Sequence, residues 1–215
     1  MNEKIKLITG ILVFGSLWGF TECIIGPMIN DAGLPTGLLM TSIFAMVFLT
    51  MSRVLYKQRG MQAGMGLVAG SLRFLNPFGA CHICSAIAIA AEGLIFEMIF
   101  NHLSTLDLRE IKPFSTKIGL GIFSGYTVYV GGYIITQILT PLSFGAFYVN
   151  NFLIAMPSIL SAGLPAALLG GVVFTATLQI SKIDFKLVDR LYYPTTIGIS
   201  MFCWISVILN YLLMT

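Results

Sequence analysis

Seven long apolar segments dominate this sequence and restrict it to one class of fold. They fall at about residues 5–26, 37–56, 61–80, 82–100, 115–139, 151–179 and 193–214, with short polar breaks between them. Each is close to the roughly 20 residues that an α-helix needs to cross a hydrocarbon layer about 30 Å thick. Because lipid cannot satisfy backbone hydrogen bonds, and no alternating strand pattern is present, the spans are expected to be helices and not a β-barrel. The sequence predicts an all-α integral membrane protein with a single transmembrane helical domain, residues 1–215.

The composition agrees with this prediction. Charged residues make up 10% of the chain and apolar residues 57%, with a mean hydropathy of +0.90, whereas soluble domains carry about 25% charged residues. The first segment follows a basic start like a signal peptide, but its apolar core is too long and lacks an A-x-A cleavage pattern. It is therefore expected to remain as the first helix. The lipid bilayer is the expected surrounding, and nucleic acid is not an expected partner.

The number of spans depends on the third and fourth segments. Together they form one stretch from Met61 to Phe100, divided only by the turn-forming sequence Asn76-Pro77-Phe78-Gly79. The sequence therefore predicts a compact bundle of seven helices, with a six-span alternative in which residues 61–80 are partly re-entrant.

Lys and Arg residues gather in the short cytoplasmic loops of membrane proteins, so their positions predict orientation. With seven spans, eleven of the twelve basic residues fall on the same side of the bilayer. These are Lys4, Lys6, Arg53, Lys57, Arg59, Arg109, Lys112, Lys117, Lys182, Lys186 and Arg190. The twelfth, Arg73, lies inside the third segment. We therefore expect a multi-pass protein of the plasma membrane, with a cytoplasmic N-terminus and an external C-terminus.

Ionisable residues inside the spans are candidates for a binding site. Inserting Arg, Lys or Asp at the centre of a span costs about 2.5–3.5 kcal/mol, so such residues raise a functional question. Glu22 ends the first helix, Arg73 lies just before the turn at Asn76, and Glu92 lies in the next helix. The predicted substrate-binding residues are these three and the residue at the turn: Glu22, Arg73, Asn76 and Glu92. An internal Arg–Glu pair is one interpretation of Arg73; receiving an anionic group of the substrate is the other.

The sequence NPFGACHIC, residues 76–84, brings three potential metal ligands to the mouth of an apolar segment. Cys81, His82 and Cys84 begin an inward-running helix, and Cys23 ends an outward-running one, so all four are expected at the same level of the bilayer. Such a set suits a transition metal ion or the metal of a tetrapyrrole. Two alternatives stay open: a Cys81–Cys84 or Cys23–Cys81 disulfide on the oxidising side, or inert apolar cysteines.

Gly15 and Gly19 form a small-x-x-x-small pair on the first helix. Small residues let helices approach closely in lipid, either within the chain or against a partner subunit. The prediction assigns both glycines to such packing, with a partner subunit as the functional interpretation.

The arrangement resembles the substrate-binding S components of energy-coupling-factor (ECF) transporters. The matching parts are Gly15-x-x-x-Gly19 with LWGFTE at 17–22, and SLRFLNPFGACHICSAIAIAAEGLIFE at 71–97; the resemblance covers mainly residues 10–100. It implies a bundle with an outward-open pocket that binds a scarce nutrient and topples in the membrane, driven by a separate transmembrane coupling subunit and ATPase subunits. The chain departs from nickel and cobalt members in lacking a Met-His start. It also contains no G-x-x-x-x-G-K-[ST] motif for nucleotide binding.

The function predicted from sequence is therefore uptake of a small nutrient, not catalysis. A metal-centred ligand such as haem or a corrinoid is one expectation and a bare transition metal ion is the next. Two alternatives belong to other classes. A haem- or metal-binding membrane oxidoreductase subunit would need paired His ligands, and a thiol-dependent intramembrane enzyme would need Cys23 or Cys84 beside His82.

Overall fold

The computed structural model describes residues 3–76, 82–102, 108, 110–143, 149–181 and 189–214. Most of these residues lie in helices. The helices are α1 (Glu3–Phe20), α2 (Gly26–Asp31), α3 (Thr36–Leu39), α4 (Met46–Tyr56), α5 (Met61–Leu75), α6 (His82–His102), α7 (Phe114–Ser143), α8 (Val149–Ile180) and α9 (Asp189–Met214). A π-helical turn at Thr21–Ile25 joins α1 to α2, and a second at Met40–Ala45 joins α3 to α4.

Six helical segments of the described chain are long and apolar enough to cross a membrane. They are Glu3–Asp31, Thr36–Tyr56, His82–Asn101, Phe114–Pro141, Val149–Ile180 and Tyr192–Leu213. The predicted third span corresponds to α5, whose 15 residues are only about 22 Å long at 1.5 Å per residue. The structure thus confirms a helical bundle with several helices that are long and apolar enough to cross a membrane. The number of crossings depends on the path of α5.

Contacts along α1 show that α5 runs beside it in the same direction. A Cβ atom at Gly15 would lie 2.7 Å from Val68, and one at Gly19 would lie 2.9 Å from Leu72, so both helices advance together. In contrast, α5 and α6 are antiparallel. The backbone N–H of Ala63, near the start of α5, donates to Glu97, near the end of α6. The short helix therefore passes between the two ends of the bundle.

The first and last spans also run in the same direction. Thr9 of α1 donates to the hydroxyl of Tyr192 at the start of α9, and further along Trp204 donates to Ser16 over 3.0 Å. Two parallel terminal spans require an odd number of crossings. The described helices therefore fit seven crossings, of which α5 is the shortest, better than the six-span alternative.

Apart from Arg73, the described basic side chains gather at one end of this bundle, which we call the basic end. There α1, α5, α7 and α9 begin, and α4 and α6 end. Lys4, Lys6, Arg53, Lys57, Arg59, Lys112 and Lys117 all lie at these helix termini. Of the other predicted basic residues, Arg109, Lys182 and Lys186 lie outside the described residues, and Arg190 is the second residue of α9. We call the opposite end, reached by Asp31 and His82, the cavity end.

The turn from α4 to α5 closes the basic end. Lys57 and Gly60 both have positive φ, 50° and 84°, a conformation that glycine adopts without a steric penalty. The Glu97 carboxylate then accepts the backbone N–H groups of Gly60 and Ala63, which begin α5. Because the first N–H groups of a helix lack partners within it, this carboxylate completes their hydrogen bonding. Glu97 therefore has a structural role.

Small residues bring the helices into close contact, as expected where lipid offers no hydrophobic driving force. A Cβ atom at Gly93 of α6 would lie 2.5 Å from the Gln62 carbonyl oxygen and 3.0 Å from the Gly66 Cα. Gly15 and Gly19 are likewise buried against α5 inside the chain. The prediction that these two glycines face a partner subunit is therefore corrected: α5 occupies the face that they form.

Large apolar side chains fill the middle of the bundle. We call six of them, all fully buried or nearly so, the apolar layer. They are Trp18, Met46, Leu49, Phe96, Phe100 and Phe174. The rings of Phe100 and Phe174 stack with centroids 5.9 Å apart. Because Phe96 and Phe100 follow Glu92 along α6 toward the basic end, the apolar layer separates Glu92 from that end.

Candidate functional site

A cavity of about 450 Å³ opens into the bundle at the cavity end. Its walls are formed by α2, α3, α5, α6 and α7 and by the two π-helical turns. Its lining residues are Glu22, Gly26, Pro27, Asn30, Asp31, Thr36, Gly37, Met40, Thr41, Arg73, Ser85, Ala88, Ile89, Glu92 and Tyr133. Ligand sites in proteins commonly have volumes of about 300–1,000 Å³ and a few convergent polar groups. The cavity therefore has the size and the polar lining of a small-molecule site.

Both π-helical turns lie at this cavity. Thr21–Ile25 carries Glu22, and Met40–Ala45 carries Met40 and Thr41, all of which line the cavity. A π-helical turn closes its hydrogen bonds from i to i+5, and such turns are rare and frequent at functional sites. Because the turn holds an extra residue, it changes which side chains on either side face the bundle. The two interruptions thus shape the walls where polar residues are concentrated.

Glu92 lies at the inner end of the cavity and is the least satisfied of its polar groups. Its side chain is only 3% exposed. One carboxylate oxygen, Oε1, accepts the Thr41 hydroxyl over 2.6 Å. The other, Oε2, is buried and has no hydrogen-bond partner among the described residues. Since buried polar groups in proteins are almost always hydrogen-bonded, this oxygen is an acceptor that a ligand can satisfy.

Gly132 of α7 makes room for the Glu92 side chain. A Cβ atom at Gly132 would lie 3.0 Å from the Glu92 Cγ, which is tighter than an ordinary contact. Tyr133, the next residue, lines the cavity and packs its ring on Tyr129, with centroids 4.7 Å apart. Its hydroxyl abuts Gly37, where a side chain would collide with it. Glycines at these two positions therefore keep the inner cavity open.

Glu22 and Arg73 lie on the opposite wall. The Trp18 indole N–H donates to Glu22 Oε1 over 3.3 Å, and the Arg73 guanidinium acts electrostatically on Glu22. Arg73 also donates to the carbonyl oxygen of Asn76 over 3.4 Å. The structure thus brings three predicted binding residues, Glu22, Arg73 and Glu92, to one cavity.

Asn76, the fourth predicted binding residue, does not line the cavity. It is fully buried at the end of α5, and its amide donates to the carbonyl oxygen of Cys23 over 3.4 Å. Its role in the structure is to tie α5 to the first span. This corrects its assignment as a direct contact of a ligand.

The predicted metal ligands are not brought together in the described chain. Cys23 is a free, buried thiol that donates to the Leu72 carbonyl oxygen over 3.6 Å, and Cys84 is disulfide-bonded. His82 packs its ring 6.0 Å from that of Phe74. No group of three His, Cys, Asp or Glu side chains within the described residues is placed to hold a metal ion. Cys81 lies outside those residues.

The free thiol of Cys23 excludes the predicted Cys23–Cys81 disulfide. The disulfide bond of Cys84 agrees with the other predicted pairing, whose second member, Cys81, lies outside the described residues. A disulfide-bonded Cys84 and a Cys23 engaged with Leu72 leave no free thiolate for an enzyme beside His82. The structure therefore gives no support to a thiol-dependent site at these positions.

The two histidines of the chain do not suit a shared haem. They begin and end the same helix, α6, at His82 and His102, and are separated by about 30 Å along its axis. Paired ligation of one iron requires histidines on facing helices at equal depth. The oxidoreductase alternative therefore lacks its ligand pair.

Sequence reasoning missed several lining residues, of which Thr41, Asp31 and Tyr133 are the most polar. Thr41 lies in a run of apolar and small residues, and Tyr133 resembles any aromatic of a span. The sequence signal that could have identified Thr41 is the group of small and polar residues on the second span, Thr41, Ser42 and Ala45. That Thr41 donates a hydrogen bond to Glu92 follows only from the fold.

The site is thus a polar cavity in which three carboxylates, Glu22, Asp31 and Glu92, surround one guanidinium, Arg73. Asp31 lies at the exposed mouth, and Glu92 lies at the inner end. Comparisons with models of protein families, with curated protein sequences and with solved structures find no match for this chain.

Proposed function

We propose that the chain is a membrane subunit that binds a small solute in this cavity for uptake across the bilayer. The observation that carries the proposal is Glu92: a buried carboxylate with one oxygen unsatisfied, at the inner end of a cavity of about 450 Å³. Ionisable residues inside membrane bundles mark substrate and ion pathways. Because this one faces a cavity, a solute-binding role accounts for its position.

The distribution of basic residues supports uptake. Lys4, Lys6, Lys57 and Arg59 lie at the basic end, which the positive-inside rule assigns to the cytoplasm. The cavity then faces outward and meets its solute outside the cell. The plasma membrane is the membrane that fits this proposal.

The size of the cavity favours a small solute. A volume of about 450 Å³ corresponds to about fifteen water molecules at roughly 30 Å³ each. Haem and corrinoids contain several times as many non-hydrogen atoms, and the described residues of the lining include neither histidine nor cysteine to ligate their metal. We therefore place a compact organic solute ahead of the metal-centred ligands suggested by the sequence.

The apolar layer supports a separate energy source. In the described conformation Phe96, Phe100 and Phe174 close the bundle beneath Glu92, so a bound solute has no open path to the basic end. Release requires a rearrangement of the bundle or movement of the whole chain. An ECF-type arrangement, in which a coupling subunit and ATPase subunits move a binding subunit that is not itself an enzyme, meets this requirement.

Filling the cavity should abolish solute binding. Ala88 lines the cavity, so Ala88→Phe should occupy it, whereas Leu94→Phe on the same helix changes a side chain that is 49% exposed on the outer surface. Purified protein in lipid nanodiscs is equilibrated with the small-molecule fraction of yeast extract, washed, and its bound solutes are identified by mass spectrometry. Wild type and Leu94→Phe should retain the same solute, and Ala88→Phe should lose it.

Equal retention by Ala88→Phe and wild type, or no retention by any variant, would contradict the binding proposal. Uptake is then measured with the retained solute in membrane vesicles from cells that express the chain. Accumulation should require ATP and should be lost with Ala88→Phe. Accumulation without ATP would contradict the ECF-type arrangement.

A further inference from the structure

We infer that the solute carries a positively charged nitrogen and that Glu92 binds it. The inference rests on the proposed function, since it names the class of solute taken by the same cavity. It has two independent observations behind it: the charge of the lining and the unsatisfied oxygen of Glu92.

The charges of the cavity lining favour a cation. Glu22, Asp31 and Glu92 supply three carboxylates, and Arg73 supplies the single basic group. A cleft lined by one sign of charge within low-dielectric walls attracts ligands of the opposite sign. The negative charge of the lining would repel an anionic solute, whereas a cationic solute would be attracted and would neutralise part of that charge.

Arg73 compensates Glu22 more than Glu92. It acts electrostatically on Glu22 and donates to the Asn76 carbonyl oxygen. Glu92 instead senses the negative charge of Glu22, and its described hydrogen bond comes from the neutral hydroxyl of Thr41. A positive group at Glu92 would therefore balance a carboxylate for which no compensating positive charge is found among the described residues.

The geometry at Glu92 suits an N–H donor. Oε1 is engaged by Thr41, while Oε2 is buried without a described partner. A hydrogen bond from a charged donor to a carboxylate is roughly twice as strong as one between neutral groups. An ammonium, amidinium or similar group at Oε2 would supply both the missing hydrogen bond and the missing charge.

The remaining walls suit a compact apolar body. Met40, Ala88 and Ile89 line the cavity close to Glu92. The cavity volume of about 450 Å³ lies in the lower half of the range of about 300–1,000 Å³ that is common for small-molecule sites. The class of solute that fits is a small organic amine or amidine with a partly apolar skeleton.

The test identifies the retained solute and its dependence on Glu92. Wild type, Glu92→Gln and the control Glu110→Gln, an exposed carboxylate outside the spans, are equilibrated in nanodiscs with the small-molecule fraction of yeast extract. We expect wild type and Glu110→Gln to retain a solute with a protonated or quaternary nitrogen. Glu92→Gln should bind it at least about tenfold more weakly, the loss expected for a hydrogen bond to a charged group.

The outcomes separate this inference from the proposed function. Retention of an anionic or neutral solute, or retention unchanged by Glu92→Gln, overturns the cationic class while the binding function stands. Retention of nothing by wild type overturns both. If Glu92→Gln does not fold, competition on wild type decides: the amine fragment of the retained solute should displace it, and the fragment with hydroxyl in place of the amine should not. Equal displacement by both fragments overturns the inference.

Discussion

Replacing Gly93 by alanine should destabilise the bundle more than any other single-methyl change among the described glycines of α5 and α6. The new Cβ would lie 2.5 Å from the Gln62 carbonyl oxygen and 3.0 Å from the Gly66 Cα. Both neighbours are backbone atoms, which cannot rotate away as a side chain can. Overpacking of this kind costs about 1–3 kcal/mol, and we expect the upper end because α5 and α6 must separate. Thermal unfolding in detergent measures the loss.

The matched control is Gly119→Ala on α7. A Cβ atom there meets nothing within 4 Å, and alanine is favoured over glycine in a helix by about 0.5–1 kcal/mol. This variant should be as stable as wild type or slightly more stable. Equal melting temperatures for Gly93→Ala and Gly119→Ala would contradict the close packing of α5 on α6.

Removing the charge of Arg73 alone should cost far more than removing it together with that of Glu22. Both side chains line the cavity and interact electrostatically, and Arg73 is 7% exposed. Removing one partner of a buried pair typically costs about 3–5 kcal/mol, because the other charge is left uncompensated. Replacing both partners by uncharged residues can leave the unfolding free energy nearly unchanged. Arg73→Met should therefore lower the unfolding free energy strongly, and Arg73→Met with Glu22→Gln should recover most of it.

The double-mutant cycle is completed with Glu22→Gln alone, and unfolding in detergent is measured for all four proteins. Asp31→Asn combined with Arg73→Met is the matched control, since Asp31 is exposed at the mouth; it should give no recovery. If the two effects of Arg73→Met and Glu22→Gln simply add, the charges do not form a pair. Arg73 would then be available to an anionic group of a solute, the alternative that the sequence left open.

The helical class and the path of the chain were predictable because each depends on a local property. Apolar length sets the spans, and the placement of Lys and Arg predicts alternation across the bilayer. The third span was uncertain for a physical reason: α5 has only 15 residues, fewer than a span facing lipid needs. It packs closely against both α1 and α6, so its neighbours, and not its own length, determine its path.

The site was predictable where depth along a helix was enough to place a residue. Glu22, Arg73 and Glu92 all line one cavity. Cys23 reaches a similar level but faces Leu72 instead, because depth does not fix which way a side chain points. The two π-helical turns change the facing of residues beyond them, and a periodicity of 3.6 residues per turn cannot anticipate that change.

We expect the cavity to be a water-filled binding site that opens away from the basic end. The most direct measurement is the reaction of Ala88→Cys with two small membrane-impermeant methanethiosulfonates, one with a trimethylammonium group and one with a sulfonate. Leu94→Cys, which faces outward, and wild type, whose Cys23 and Cys203 are buried, are the controls.

If the cavity opens outward, Ala88→Cys should react only from the outer face of right-side-out vesicles. The reaction should be roughly tenfold faster with the cationic reagent than with the anionic reagent, as expected for an acidic cleft. The controls should not react. Reaction of Ala88→Cys only from the cytoplasmic face, or no reaction from either face, would contradict a water-filled cavity that opens away from the basic end.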